Sequence, residues 1–364
     1  MIHAPIQPLK DIQRTLAQIL TASYHPPAQV HGFARGRSPV SNALRHPGQQ
    51  WILRVDLQDF FPSIHFGRVR GVFRAFPFEY PADVATLLAL ICCHRNALPQ
   101  GAPTSPIVSN YICRRMDRQL SQLAAEERCF FSRYADDITF STDRRNFPPS
   151  LGYLDGGQSI AGPALRTAIE ENNSFLINPA KTRLMHRSQR QRVTGLVVNE
   201  KVNVPRGYLR GLRSLLFIWK HHGPEAAIAA YMRANPSRNA PPGKGPPSFV
   251  SVVRGQVQYV GSIRGWGDPT YRALATSLAE LDPDFTLREP LSTAPQTVRI
   301  FVEGPSDVEH LEAALSHFKA HDNLTDFEFH QIARRRHRAA QGLQGVRQNS
   351  PEATLPVRVR RRQP

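Results

Sequence analysis

The feature that most constrains this chain is a pair of adjacent carboxylates, Asp136 and Asp137, set inside the run FFSRYADDITF at residues 130–140. Two β-rich stretches around a short polar turn predict a β-hairpin there. Neighbouring carboxylates repel, so the pair is unfavourable unless something positive occupies the gap between them. Asp is also an ordinary turn residue, and the pair alone is compatible with a plain turn. A third acid, Asp56, follows an apolar run in WILRVDL at residues 51–57, whose alternation reads as a half-buried strand. Three acids at strand ends in a sheet that prefers apolar residues suit hard divalent cations such as Mg²⁺, which take carboxylate oxygens. Two such ions can activate an attacking hydroxyl and stabilise a leaving pyrophosphate.

Around these strands the pattern is mixed. Residues 81–94 (PADVATLLALICCH) open with Pro and continue as an apolar helix, and residues 105–127 read as a second helix entered through Pro106. Residues 162–175 return to helix, and VTGLVVNEKVNV at 193–204 reads as a further hairpin turning near Asn199 and Glu200. Helices flanking an antiparallel sheet make the expected class α+β. Cys92, Cys93, Cys113 and Cys129 lack Cys-x-x-Cys spacing, which argues against a zinc ribbon or a disulfide framework. The first ten residues lack an apolar signal core, and no apolar run approaches the roughly 18 residues of a membrane span. The expectation is a cytoplasmic protein with no membrane partner.

Charge narrows the partner. The 364 residues carry 46 Lys and Arg against 29 Asp and Glu, a net +17, which favours a polyanion such as nucleic acid. Residues 331–364 hold nine arginines and one acid, so +8 sits in a tail without hydrophobic periodicity, read as disordered, and +9 remains for the body. Boundaries are expected near 205, 290 and 330, with the proline-rich 235–248 as a loop and 282–296 as a linker.

The wider sequence around the acids resembles the reverse transcriptases. Tyr134-Ala135-Asp136-Asp137 matches the YADD box of that family, RVDLQDFFPSI at 54–64 its first metal motif, and LPQGAPTSPIVSN at 98–110 its template and nucleotide segment. NPAKT at 178–182 falls where the family carries a lysine, here Lys181. The resemblance implies a right-hand polymerase, with fingers and palm over 1–204 and a helical thumb over 205–290. It implies catalytic roles for Asp56, Asp136, Asp137 and Lys181, and two Mg²⁺ ions held by the three acids, with the Leu57 carbonyl as an additional oxygen. Phe61 takes the place of the steric gate that favours deoxynucleotides. By the resemblance, Gln100 and Gly101 would approach the incoming dNTP, and Arg35 and Arg37 of HGFARGRS would grip its triphosphate.

Two smaller signatures resemble bacterial retron enzymes: Asn42-Ala43-x-x-His46, and Val193-Thr194-Gly195. They imply a noncoding RNA that is both template and primer, a cDNA product joined to it, an effector partner and a role in anti-phage defence. Asn42, His46, Val193, Thr194 and Gly195 are then expected to contact RNA. So are Arg206, Arg210 and Arg213 of the thumb, opposite a stripe formed by Leu209, Leu212, Leu215, Leu216 and Trp219. The alternatives are a group II intron or diversity-generating reverse transcriptase, or a polymerase-like RNA-binding scaffold. Near the end, TVRIFVEGPSDVEHLEAALSHF at 297–318 reads as strand, turn and helix, and Glu303-Gly304-x-x-Asp307 resembles the opening of a Toprim domain. No Asp-x-Asp follows, so 296–330 is expected to be an incomplete Toprim-like α/β segment, inactive by itself; whether it and the tail are functional or the remnant of a frameshifted longer gene is left open.

Overall fold

The structure, a computed structural model, describes residues 4–235, 248–289, 296–302, 306, 309–311, 325–331 and 356–357. The chain divides into two units, residues 1–287 and 288–364.

The first unit is organised by a four-stranded antiparallel sheet. Its strands are β1 (Trp51–Asp56), β2 (Phe130–Tyr134), β3 (Asp137–Thr142) and β6 (Arg183–His186), in the order β2-β3-β1-β6. Side chains alternate across such a sheet. Leu53, Val55, Phe131, Ile138, Phe140 and Leu184 belong to one core. Ile52 points the other way, into a second core. The same parity carries Arg54 and Asp56 to the Ile52 face, which is where β3 places Asp137, the cross-strand partner of Asp56.

The first core is covered by helices. They are α1 (Gln7–Ala22), α3 (Phe66–Arg74), α4 (Ala82–Cys92) and the 22-residue α5 (Ser105–Glu126). In α5, Pro106 sits in the first turn, where a missing N–H does no harm. Ile107, Tyr111, Met116, Leu120 and Ala124 then recur at helical spacing and are buried. Each large apolar side chain removed from water in this way contributes about 1.5–3 kcal/mol. Asn110, Cys113 and Asp117 of α5 are buried too, a polar strip beneath the sheet.

Smaller elements complete the unit: α2 (Pro39–Ala43), the hairpin β4 (Gly152–Asp155) and β5 (Gln158–Ala161), α6 (Pro163–Arg166) running into a π-turn, and a 3₁₀ turn at Pro179–Lys181. The expected helix at 162–175 is therefore shorter and partly π. The expected hairpin at 193–204 reverses twice, near Asn199 and Glu200 as expected and once earlier. β7 (Arg192–Val193) pairs with β8 (Leu196–Val197) through Thr194 and Gly195, at φ of 45° and 84°. Positive φ at both central residues is the signature of a type I′ turn, whose twist matches that of the strands. A second reversal through Asn199 and Glu200 brings Val197 opposite Asn203.

Three helices follow: α7 (Arg206–Ala234), interrupted at Gly223 and Pro224, α8 (Phe249–Arg264) and α9 (Pro269–Ala279). Their buried residues, among them Leu212, Leu216, Trp219, Val257 and Leu274, share the second core with Ala43, Ile52, Val193, Leu196 and Val204. The expected boundary at 204/205 marks the start of a helix, but a single core runs across it. Among the described residues no helix is long and apolar enough to cross a membrane.

In the second unit β9 (Gln296–Val302) pairs in parallel with β10 (Thr325–Gln331), and residues 306 and 309–311 are helical. A parallel pair needs a crossover, which agrees with the strand-then-helix reading. Glu303, Gly304 and Asp307 lie outside the described residues. Within the tail expected to be disordered, β11 (Pro356–Val357) pairs with β10, a correction for those two residues; the rest of 331–364, apart from Gln331 at the end of β10, lies outside the described residues.

Candidate active site

Antiparallel register brings the acids together. Asp56 and Asp137 are directly opposed on β1 and β3, and Asp136 occupies the two-residue turn between β2 and β3. That turn is tight: Ala135 lies at φ 57°, and the Asp136 carbonyl accepts from the Leu57 amide at 3.1 Å. Burial pushes the Asp136 carboxyl above the usual range, with the Asp56 charge adding to it. Burial likewise raises Asp137, opposed by Arg54, whose Nε donates to Asp137 Oδ1 at 3.0 Å.

Lys181 reaches the same place from another segment. The Asn178 amide donates to the Asp56 carbonyl at 2.8 Å, and Asn178 Oδ1 accepts from the Ala180 amide, so the 3₁₀ turn is pinned to the end of β1. Lys181 Nζ then donates to both oxygens of Asp56, at 3.1 and 2.9 Å, and this contact raises its pKa. Among the described residues no group of three or more His, Cys, Asp or Glu is arranged as a finished metal site. The donor set nevertheless fits hard divalent cations. It offers carboxylate oxygens from two strands and a turn, and these acids are held in unfavourable proximity and balanced by Lys181 and Arg54.

Beneath the turn lies a buried network that sequence reading missed. Arg133, on the helix-covered face of β2, is fully buried. Its Nε and Nη2 donate to the two oxygens of Asp117 at 2.6 and 2.8 Å, Nη2 also donates to Asn110 Oδ1 at 3.1 Å, and Nη1 donates to the Ala135 carbonyl at 3.0 Å. Asn110 Nδ2 in turn donates to the Gly32 carbonyl at 3.1 Å. Burial opposes the Arg133 charge, and Asp117 more than offsets it. The turn is also packed from outside: a Cβ on Gly32 would fall 2.1 Å from the Ala135 nitrogen, so only glycine allows this approach. The one available signal was an arginine at an inward-facing position of a strand.

The expected nucleotide contacts separate into two groups. Phe61 is half-buried, with its ring 6.0 Å from Phe33 and 5.3 Å from Phe60, while Gln100, Gly101 and Arg35 are exposed. Gly101 has φ 107°. Arg37 does not fit the expectation. Its guanidinium donates to the carbonyls of Pro26, Pro27 and Val30, and so holds its own loop together instead of facing a triphosphate.

The expected RNA contacts divide in the same way. Asn42, His46 and Val193 are fully buried, which corrects their assignment to an RNA surface. His46 bridges Ser141 Oγ at 2.6 Å and Ser132 Oγ at 2.7 Å, tying the segment after α2 to β2 and β3. Thr194 Oγ1 donates to the Pro39 carbonyl, and Gly195 is exposed at the turn. Arg206, Arg210 and Arg213 are exposed and line one cavity of about 580 Å³ with Arg187 and Arg190, and among the described residues no acidic side chain lines it. The basic run RSQRQR at 187–192 was the sequence signal for the two added arginines.

Comparison with known proteins supplies a family. Residues 1–202 match the family described as reverse transcriptase (RNA-dependent DNA polymerase). The chain is 36% identical over 234 residues to the retron Mx65 reverse transcriptase of Myxococcus xanthus, covering 59% of this chain and 52% of that protein. It is 32% identical over 223 residues to the retron Ec86 reverse transcriptase of Escherichia coli, covering 61% and 64%. The chain thus spans about half the length of the first of these relatives and under two thirds of the second. Among solved structures it resembles telomerase from Candida albicans, with a TM-score of 0.40 at 9% identity over 75% of this chain and 55% of that one. It also resembles a foamy viral protease-reverse transcriptase, with a TM-score of 0.36 at 12% identity over 85% and 41%. On the match over its first 202 residues, the chain belongs to the reverse transcriptase family.

Proposed function

We propose that this protein is an RNA-directed DNA polymerase of retron type. The observation that carries the reading is the meeting of Asp56, Asp136, Asp137 and Lys181 at one end of a sheet. The three acids would hold two Mg²⁺ ions, with the Leu57 carbonyl as an additional oxygen. Bound there, the metals would supply Lewis-acid stabilisation for an attacking hydroxyl and a leaving pyrophosphate. The chain's own residues prepare that chemistry. The Ala135 turn presents the acids on a fixed backbone, and Lys181 delivers a positive charge or a proton to departing phosphate. Phe61 presents a ring edge that excludes a ribose 2′-hydroxyl, while Gln100, Gly101 and Arg35 face the incoming dNTP.

The five-arginine cavity supplies the electrostatic half. Guanidiniums with no acid among them suit the phosphates of an RNA backbone, with affinity that falls steeply with salt. By similarity to the retron enzymes, that RNA is a dedicated noncoding transcript serving as template and primer. The product is a short cDNA joined to it, made in the cytoplasm and used with an effector protein in anti-phage defence.

Template-directed dNTP incorporation on RNA by the wild type and by Asp136→Asn tests the reading. Incorporation by the wild type alone is expected; equal incorporation by both would refute the assigned site. No incorporation by the wild type with its own RNA would leave an RNA-binding scaffold. Sequencing nucleic acid that co-purifies with the protein would identify the template and the priming chemistry.

A further inference from the structure

A second basic cleft lies away from the carboxylates. It has a volume of about 590 Å³ and is bounded by α3, α5 and the segment after the π-turn, with His65, Arg68, Phe76, Arg114, Arg115 and Ser174 on its walls. None of the carboxylates, and none of the five arginines of the other cavity, lines it. Among the described residues no acidic side chain lines it either.

Three observations separate this cleft from an ordinary solvated surface. First, Arg68 carries its guanidinium 4.2 Å above the Phe175 ring, and its Nη1 is buried with no hydrogen-bond partner among the described residues. Burial pulls the Arg68 pKa down, as expected of a cation without a carboxylate beside it. Second, Arg114 and Arg115 are exposed and form no ion pair among the described residues, although Arg14, Arg166 and Arg264 on other helices pair with acids on their own or adjoining turns. Third, Phe76 stands 78% exposed on the rim, beside three uncompensated cations. Flat apolar surface beside arginines is the combination that holds a single strand, where bases stack and phosphates meet charge. An anion too small to reach the rim would leave Phe76 unused.

We propose that this cleft binds a single-stranded segment of nucleic acid, as a contact separate from the polymerase centre. The choice of ligand rests on the reading of the chain as a nucleic-acid polymerase. The shared chemistry is phosphate, and the strand is the form the exposed ring favours. The Phe175 ring beneath Arg68 lies 5.6 Å from Phe60, which in turn packs on Phe61. Buried aromatic rings thus connect the Arg68 side of the cleft to Phe61.

The full chain with Arg114→Glu and Arg115→Glu together is compared with the wild type for binding a fluorescent oligouridylate over a series of salt concentrations. Both substitutions fall on exposed positions of α5, and an unchanged melting temperature establishes that the variant is folded. We expect weaker binding, and a salt slope smaller by about 1.4, or about 0.7 for each single-strand phosphate no longer neutralised. Arg114→Lys with Arg115→Lys should restore most of both, because charge is kept, and Phe76→Ala should weaken binding without changing the slope. Unchanged affinity and slope in the glutamate variant would overturn the proposal. So would displacement of the wild-type strand by millimolar inorganic phosphate with no effect of Phe76→Ala, which would assign the cleft to a small anion. Failure of the polymerase reading is seen separately, as absence of dNTP incorporation by the wild type.

Discussion

Arginine does opposite work in two regions of this molecule. Arg133, under the acidic turn, is fully buried and binds Asp117, Asn110 and the Ala135 carbonyl. Arg187, Arg190, Arg206, Arg210 and Arg213 line a cavity where no acid answers them. A buried pair gains little net stability, because desolvating both charges offsets most of their attraction, but breaking it is severe. Its effect here is geometric, since it fixes the backbone from which Asp136 and Asp137 project. The exposed set is the reverse: it lies at the surface with no acid lining its cavity, and its charge is available for a ligand. A charge that the protein has already neutralised positions other groups, whereas one left unneutralised marks where a partner binds.

The comparison can be broken most sharply at Arg133. Arg133→Met should destabilise the protein by about 3–5 kcal/mol, because Asp117 is left buried and unpaired. Arg133→Met with Asp117→Leu should recover much of that loss in urea unfolding while incorporation stays low, because the Ala135 carbonyl has lost its donor. A double variant with full activity would show that the network is only structural. Next in size, Gly32→Ala pushes a methyl group into the Ala135 nitrogen and should lower kcat by about 100-fold, the effect of displacing a reacting group by about 1 Å. Its KM for dNTP should change far less; a KM effect alone would place Gly32 in substrate binding.

For the exposed set, Arg187→Ala with Arg190→Ala should leave stability within about 0.5 kcal/mol of wild type. RNA binding should weaken, and the salt slope should fall by about 0.7–0.9 for each phosphate no longer neutralised. Unaltered binding would limit the RNA surface to the α7 arginines. The last effect, seen only on acidification, concerns the buried histidines. Burial first, and then Arg45 and His31, lower His46 to about 3, while burial and then Arg37 and Arg45 lower His31 to about 4. The unfolded chain takes up these protons near pH 6.5 and the folded protein does not. Stability is therefore complete above pH 6.5 and declines as pH falls towards 4. His46→Gln should flatten that decline in the urea midpoint, and an unchanged pH profile would show that other groups govern it.

Much of the candidate site was legible in the residues. Strand alternation around Asp56, and a turn between two β-rich runs at Asp136 and Asp137, already implied acids at the end of a sheet. The resemblance to reverse transcriptases, not the residues alone, implied that Lys181 lies near them. The four-strand order and the pairing of Asp56 with Asp137 were not legible, because register depends on partners far apart in sequence. The retron-like residues Asn42, His46 and Val193 resembled surface contacts in one dimension and proved to be buried. A short motif does not reveal which of its residues faces a core.

Sequence alone determined the chemistry available: three hard carboxylates, a lysine, a basic body and a helical segment with one apolar stripe. Those properties are local, set by residue type and by spacings of two or about four along the chain. Only tertiary structure decided how each cation is used. Arg37 closes a loop on its own carbonyls, Arg54 and Lys181 balance the acids, Arg133 is neutralised beneath the turn, and Arg68, Arg114 and Arg115 line a cleft without an acid. The reason is physical. The free energy of a charge depends on its desolvation and on which opposite charge lies within a few ångströms, and folding sets both.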